Sequence, residues 1–96
     1  MEDNPLEGFV RLCSGVPEFG DALKDIRANN NLTAKYVADR LHIGLAAYYR
    51  WEDNIIPQYF TVSHIEQIGN ALNLSDLEYS LLITSFVCYE LRRRGL

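Results

Sequence analysis

The sequence predicts an all-α fold, a compact bundle of five or six helices. Three observations carry that expectation. Apolar residues recur at three- and four-residue spacing along most segments, and helix-start signals precede several of them. Between Leu32 and Asn54, in addition, two short helical patterns are separated by a break of three or four residues, the layout of a helix-turn-helix.

The first element is expected from Asn4, where Asn, Pro and Glu stand at cap, first-turn and third positions, with Leu6, Phe9, Val10 and Cys13 forming one apolar face up to Ser14-Gly15. Pro17 opens the second, in which Phe19, Ala22, Leu23 and Ile26 follow the helical repeat until Asn29-Asn30-Asn31 breaks it. Thr33 caps the third, because its hydroxyl can accept from a free amide of the first turn, and Val37, Ala38 and Leu41 give its inner stripe. His42-Ile43-Gly44 interrupts the pattern, with Gly44 expected to take backbone angles that a β-carbon would resist. In the next helix, Leu45 to Glu52, Tyr48 and Trp51 face inward and Ala47 permits close approach to a neighbour. Leu45, Ala46, Tyr49 and Arg50 project outward, in the position of a recognition helix.

A loop, Ile55 to Phe60, contains Pro57 and enough apolar surface to pack on the bundle or on a partner. Thr61 or Ser63 starts a helix with Ile65, Ile68, Gly69 and Leu72 inside. Ser75 and Glu78 form a capping box for the last helix, which is apolar on all sides from Leu77 to Leu91. A helix apolar all round must be covered all round. A homodimer through Tyr79, Ile83, Phe86 and Val87 answers that need, and the alternative is coverage by the N-terminal helix and the Ile55 to Phe60 loop.

The segment from about Phe19 to Leu74 resembles the lambda-repressor-like, Xre-type helix-turn-helix family. Leu32-Thr33, Val37-Ala38, Leu41, Ile43, Tyr48-Tyr49-Arg50-Trp51-Glu52 and Ala71-Leu72-Asn73-Leu74-Ser75 carry the resemblance. It implies a DNA-binding transcription regulator acting as a dimer, with double-stranded DNA held by Thr33, Lys35, Gly44, Leu45, Ala46, Tyr49 and Arg50. Two departures fall at the contact positions. Ala34 stands where the family often has Gln, and Gly44 where it has a polar residue, followed by Leu45, Ala46 and Ala47. These side chains can meet a thymine methyl but lack the donors and acceptors of direct base readout.

Ninety-six residues suit one domain, 1–96, made of an N-terminal helical extension (1–15), a helix-turn-helix core (19–74) and a C-terminal helix (75–94). Nine basic and thirteen acidic residues give a net charge of −4, against the positive excess usual in DNA-binding domains. Between Phe19 and Asn54 the charges balance. There Lys24, Arg27, Lys35, Arg40 and Arg50 face Asp21, Asp25, Asp39, Glu52 and Asp53. The acidic opening lacks a signal-peptide pattern and no stretch reads as a membrane span, so a soluble cytoplasmic protein is expected.

In that setting Cys13 and Cys88 read as two buried thiols, with a disulfide as the alternative. No nucleophile with base and acid, phosphate loop or metal spacing is evident, so no catalytic residue, metal or cofactor is expected. Two functions remain open: a DNA-binding regulator, and a protein-interaction module built on the same scaffold.

Overall fold

The computed structural model describes residues 13–95, which form five α-helices and no strand. They are α1 (Phe19–Asn29), α2 (Ala34–Arg40), α3 (Leu45–Glu52), α4 (Val62–Leu72) and α5 (Asp76–Arg93). The expected N-terminal helix from Asn4 lies outside the described residues, apart from its end at Cys13 and Ser14. Among the described residues no helix is long and apolar enough to cross a membrane.

Helix starts follow local chemistry. The Thr33 hydroxyl accepts from the Tyr36 amide at 3.1 Å. At α5, the Ser75 amide donates to Glu78 Oε1 at 3.0 Å and the Glu78 amide to Ser75 Oγ at 3.2 Å. Asn30 Nδ2 adds a 2.7 Å bond to the same carboxylate, joining the end of α1 to the start of α5. The Ser75 amide, and after it Asn30, hold the Glu78 carboxyl below its ordinary range. At α4 it is Thr61, not Ser63, that sits at the cap, its amide donating to His64 Nδ1 at 3.1 Å. Pro17 does not open α1 directly; Glu18 is the cap residue and the helix begins at Phe19.

Helix ends use left-handed residues. Asn31, His42, Asn54 and Asn73 all have positive φ. Gly44 was expected to provide the unusual backbone in the turn, but its φ and ψ are −69° and 147°, ordinary extended values, and His42 at φ 57° makes the bend instead.

The core lies where all five helices meet, with α1 packed on both α3 and α5, and α2 on α3 and α4. Phe19, Ala22, Leu23 and Ile26 are all buried, as the repeat predicted. Phe60 is the centre of an aromatic cluster, its ring 5.5 Å from Phe19, 5.0 Å from Trp51 and 5.4 Å from Phe86. The loop before α4 therefore supplies a core residue, while its Ile55 and Tyr59 remain exposed.

Two further expectations are corrected. Cys13 and Cys88 are buried, but as a disulfide with Cα atoms 5.4 Å apart, not as thiols. Ala47 is exposed and faces away from the core; close approach occurs at Gly20, where a β-carbon would lie 2.5–2.6 Å from Glu52 O, Trp51 O and Asn54 N. Gly20 thereby admits the end of α3 against α1, and its amide donates to Asn54 Oδ1 at 3.1 Å.

Candidate nucleic-acid interface

Helix α3 has two faces of opposite environment. Tyr48, Trp51 and Glu52 are buried, whereas Leu45, Ala46, Ala47, Tyr49 and Arg50 are exposed. The inner face is held by an ion pair that composition does not reveal. Arg27 on α1 donates from Nε to Glu52 Oε2 and from Nη2 to Glu52 Oε1 at 3.1 Å. Its Nη1 reaches Leu32 O at 3.1 Å, so one guanidinium ties α1, the segment before α2 and the end of α3. The bond to Glu52 raises the Arg27 pKa above its ordinary value. The Tyr48 hydroxyl is buried beside this pair with no hydrogen-bond partner, and burial pushes the phenol well above its ordinary range.

The outer face keeps Leu45, Ala46, Tyr49 and Arg50 together by helical spacing, with Leu45 39% and Tyr49 49% exposed. Arg50 is exposed and forms no ion pair among the described residues. Gly44 stands at the start of the helix without a side-chain cap, in open space, leaving the amides of Leu45, Ala46 and Ala47 directed outward. At the other end Asp53 is exposed, one helical turn beyond Tyr49 and Arg50, and sets an acid beside that cation.

Thr33 and Lys35 belong to the first turn of α2, and no hydrogen bond or ion pair joins them to the α3 face. The Thr33 hydroxyl serves its own helix, and Lys35 Nζ lies 3.3 Å from Asp39 Oδ2. Arg40 donates to Ala71 O, binding α2 to α4. Of the basic residues between Phe19 and Asn54, Lys24 and Arg50 are left without a partner among the described residues. The arginines at the end of α5 are also engaged. Arg92 donates to Cys13 O at 2.6 Å and lies 3.3 Å from Glu18, while Arg93 and Arg94 face Glu90.

Beside the C-terminal half of α3, a groove of about 280 Å³ runs between the helix and the following loop. Ala47, Arg50, Trp51, Ile55, Pro57 and Tyr59 line it. Sequence reasoning expected apolar surface on this loop for the bundle or a partner; the structure adds that Phe60 takes the core while Ile55 and Tyr59 stay exposed beside α3, a continuation of its face that the sequence reading did not draw. Among the described residues no group of three or more His, Cys, Asp or Glu side chains is placed to hold a metal ion.

The residues assigned to a dimer contact separate in the structure. Phe86 is a core residue, 5.7 Å from Phe19, and so is not free to meet a partner. Tyr79 and Ile83 are half-buried against the core, Tyr79 lying over Gly69, and Val87 is exposed. No protein-family model, curated protein or solved structure matches the chain.

Proposed function

We propose that the chain is a DNA-binding domain of the helix-turn-helix type, similar to the lambda-repressor-like proteins, that enters the major groove with α3. One observation carries the reading. The outward side of α3, Leu45, Ala46, Tyr49 and Arg50, is left exposed by the described residues along the helix's length, while Tyr48, Trp51 and Glu52 anchor the opposite side. Arg50 and the outward amides of the first turn supply phosphate contacts, and Leu45 and Ala46 meet thymine methyl groups. Thr33 and Lys35 contribute at the start of α2 once Lys35 exchanges Asp39 for phosphate.

A duplex titration by fluorescence anisotropy, at low and at physiological salt, tests it. Binding should weaken steeply with salt, and Arg50→Ala should weaken it for every sequence while lowering the log–log salt slope by about 1. A chain that binds no duplex even at low salt removes the proposal.

A second reading has an observation of its own. With Lys35 paired and Asp53 beside Arg50, the exposed face is more apolar than cationic, and it continues into the Ile55, Pro57 and Tyr59 groove. That chemistry fits an apolar protein segment. Under this reading Tyr49→Ser and Ile55→Ser abolish capture of a protein partner, and Arg50→Ala does little.

A further inference from the structure

Between the turn after α2, helix α3 and helix α4 the fold leaves a cavity of about 180 Å³. Leu41 and Ile43 of the turn, Trp51 of α3 and Ile68 of α4 give it apolar walls, and Trp51 and Ile68 are themselves core residues, so these walls are preformed. An engineered dry apolar cavity of about 150 Å³ holds benzene, so this one has room for a single six-membered ring. Tyr59 and His64 join Trp51 around it, and the preference of rings for edge-to-face and offset contact favours an aromatic occupant over an aliphatic one.

The polar groups on the cavity are donors. His64 Nδ1 accepts from the Thr61 amide at 3.1 Å, so the neutral imidazole holds its hydrogen on Nε2. The ring is stacked on buried Phe60 at 4.8 Å, which fixes its orientation. Neither Nε2 nor the side-chain amide of Gln67, which also lines the cavity, has a hydrogen-bond partner among the described residues. A mostly apolar pocket with a few placed polar groups is the usual make-up of a small-molecule site, and N–H groups at its wall ask for an acceptor on the ligand.

Charge selects the kind of acceptor. The chain carries thirteen acidic residues, yet none lines this cavity or the two depressions that adjoin it. One of these shares Leu41 and Gln67 with the cavity and brings Arg40 and His42 to its edge. The other is the groove beside α3, which shares Trp51 and Tyr59 and brings Arg50. An otherwise acidic protein thus surrounds this cavity with cations and N–H donors, an environment that favours an anion, and an ionised acceptor makes the stronger hydrogen bond with each donor.

We propose that this cavity is a binding site for a small aromatic carboxylate, its ring between Ile43, Trp51 and Ile68 and its carboxylate accepting from His64 Nε2 and the Gln67 amide. Such a ligand lies against the buried side of α3 and the turn that precedes it, and leaves Leu45, Ala46 and Tyr49 uncovered. This goes beyond the DNA-binding reading and does not rest on it, since no nucleic acid enters the test.

Trp51 is the only tryptophan, so its emission reports on the site directly. Titrating the full chain with benzoate should change that emission saturably, with half-saturation on the order of 1 mM for so small a ligand. Benzamide, the neutral isostere, should bind several-fold more weakly, and acetate, an anion without a ring, should leave the emission unchanged. His64→Glu keeps a residue type suited to the α4 cap while setting a carboxylate in the site, and should weaken benzoate by about tenfold or more with helical circular dichroism unchanged. Gln67→Glu, at an exposed position, should also weaken it, and serves in place of His64→Glu if that change disturbs α4. Because Trp51 also lines the groove beside α3, Ile55→Ser in that groove should titrate as wild type does. No saturable response to benzoate, benzamide binding as tightly as benzoate, acetate producing the same response, or a titration lost in Ile55→Ser but kept in the two glutamate variants would each overturn the proposal.

Discussion

The two faces of α3 invert the usual distribution of chemistry on a helix. Its buried side carries a carboxylate and a phenol, Glu52 and Tyr48, alongside Trp51, whereas its exposed side carries Leu45, Ala46, Ala47 and Tyr49 with a single cation. Of the buried polar groups, Glu52 is tied to the rest of the fold through two bonds from Arg27, whereas the Tyr48 hydroxyl has no hydrogen-bond partner. The exposed apolar groups take no part in the core among the described residues. Core packing and exposed apolar surface thus occupy opposite sides of eight residues, and substitutions on the two sides should have separable effects.

The largest effect is expected at Glu52. With its side chain only 4% exposed and Arg27 at 17%, Glu52→Ala would leave a guanidinium largely buried without its counter-charge, at a loss of about 3–5 kcal/mol in chemical unfolding. Loss under 1 kcal/mol would mean that Arg27 turns out to solvent and that the inner face is less rigid than described. Gly20→Ala comes next. The added β-carbon meets backbone atoms of Trp51, Glu52 and Asn54, which cannot rotate away as a side-chain tip could, so α1 and the end of α3 must separate, at about 2 kcal/mol. A variant as stable as wild type would show that the helix pair slides freely.

Much of this architecture was legible in the sequence, and the division follows how far each signal reaches. Thr33, Ser75 and Glu78 announce their helices because a cap involves residues three apart, and the buried positions of α1 follow from repeat spacing alone. Pairings across the chain were not legible. Cys13 and Cys88 are 75 residues apart, and nothing in two apolar helical patterns says that their side chains meet. Arg27 and Glu52 entered only a sum of charges, although they cancel one another inside the fold. Gly20 acquires its role only when the end of α3 arrives against it. In the turn, the break in pattern was visible but its bending residue was not: glycine permits a left-handed backbone without requiring one, and His42 takes it. The exposure of Leu45, Ala46, Tyr49 and Arg50 on α3 was legible for the converse reason, since a face opposite Tyr48 and Trp51 is outward by helical spacing.

Tyr48 sharpens the comparison because its expected sign is unusual. Its hydroxyl is buried without a hydrogen bond, so Tyr48→Phe removes an unsatisfied polar group while keeping the ring in the core, and should stabilise the chain by up to about 1 kcal/mol. Because burial already holds the phenol neutral far above physiological pH, this gain should not vary between pH values near neutrality. Destabilisation by more than that amount would instead place the hydroxyl in the Arg27 and Glu52 network.

The smallest effect on folding should come from the outer face, where Arg50→Ala and Leu45→Ser are expected to change stability by no more than about 0.5 kcal/mol. Arg50 has no ion pair among the described residues to lose, and Leu45, already 39% exposed, gives up little burial. If α3 binds DNA as proposed, Arg50→Ala should nevertheless weaken that binding, and the two measurements together decide what kind of surface this is. Lost binding with unchanged melting identifies a group held ready for a ligand. Parallel loss of both would make the outer face part of the scaffold, and the opposition between the two sides of α3 would disappear.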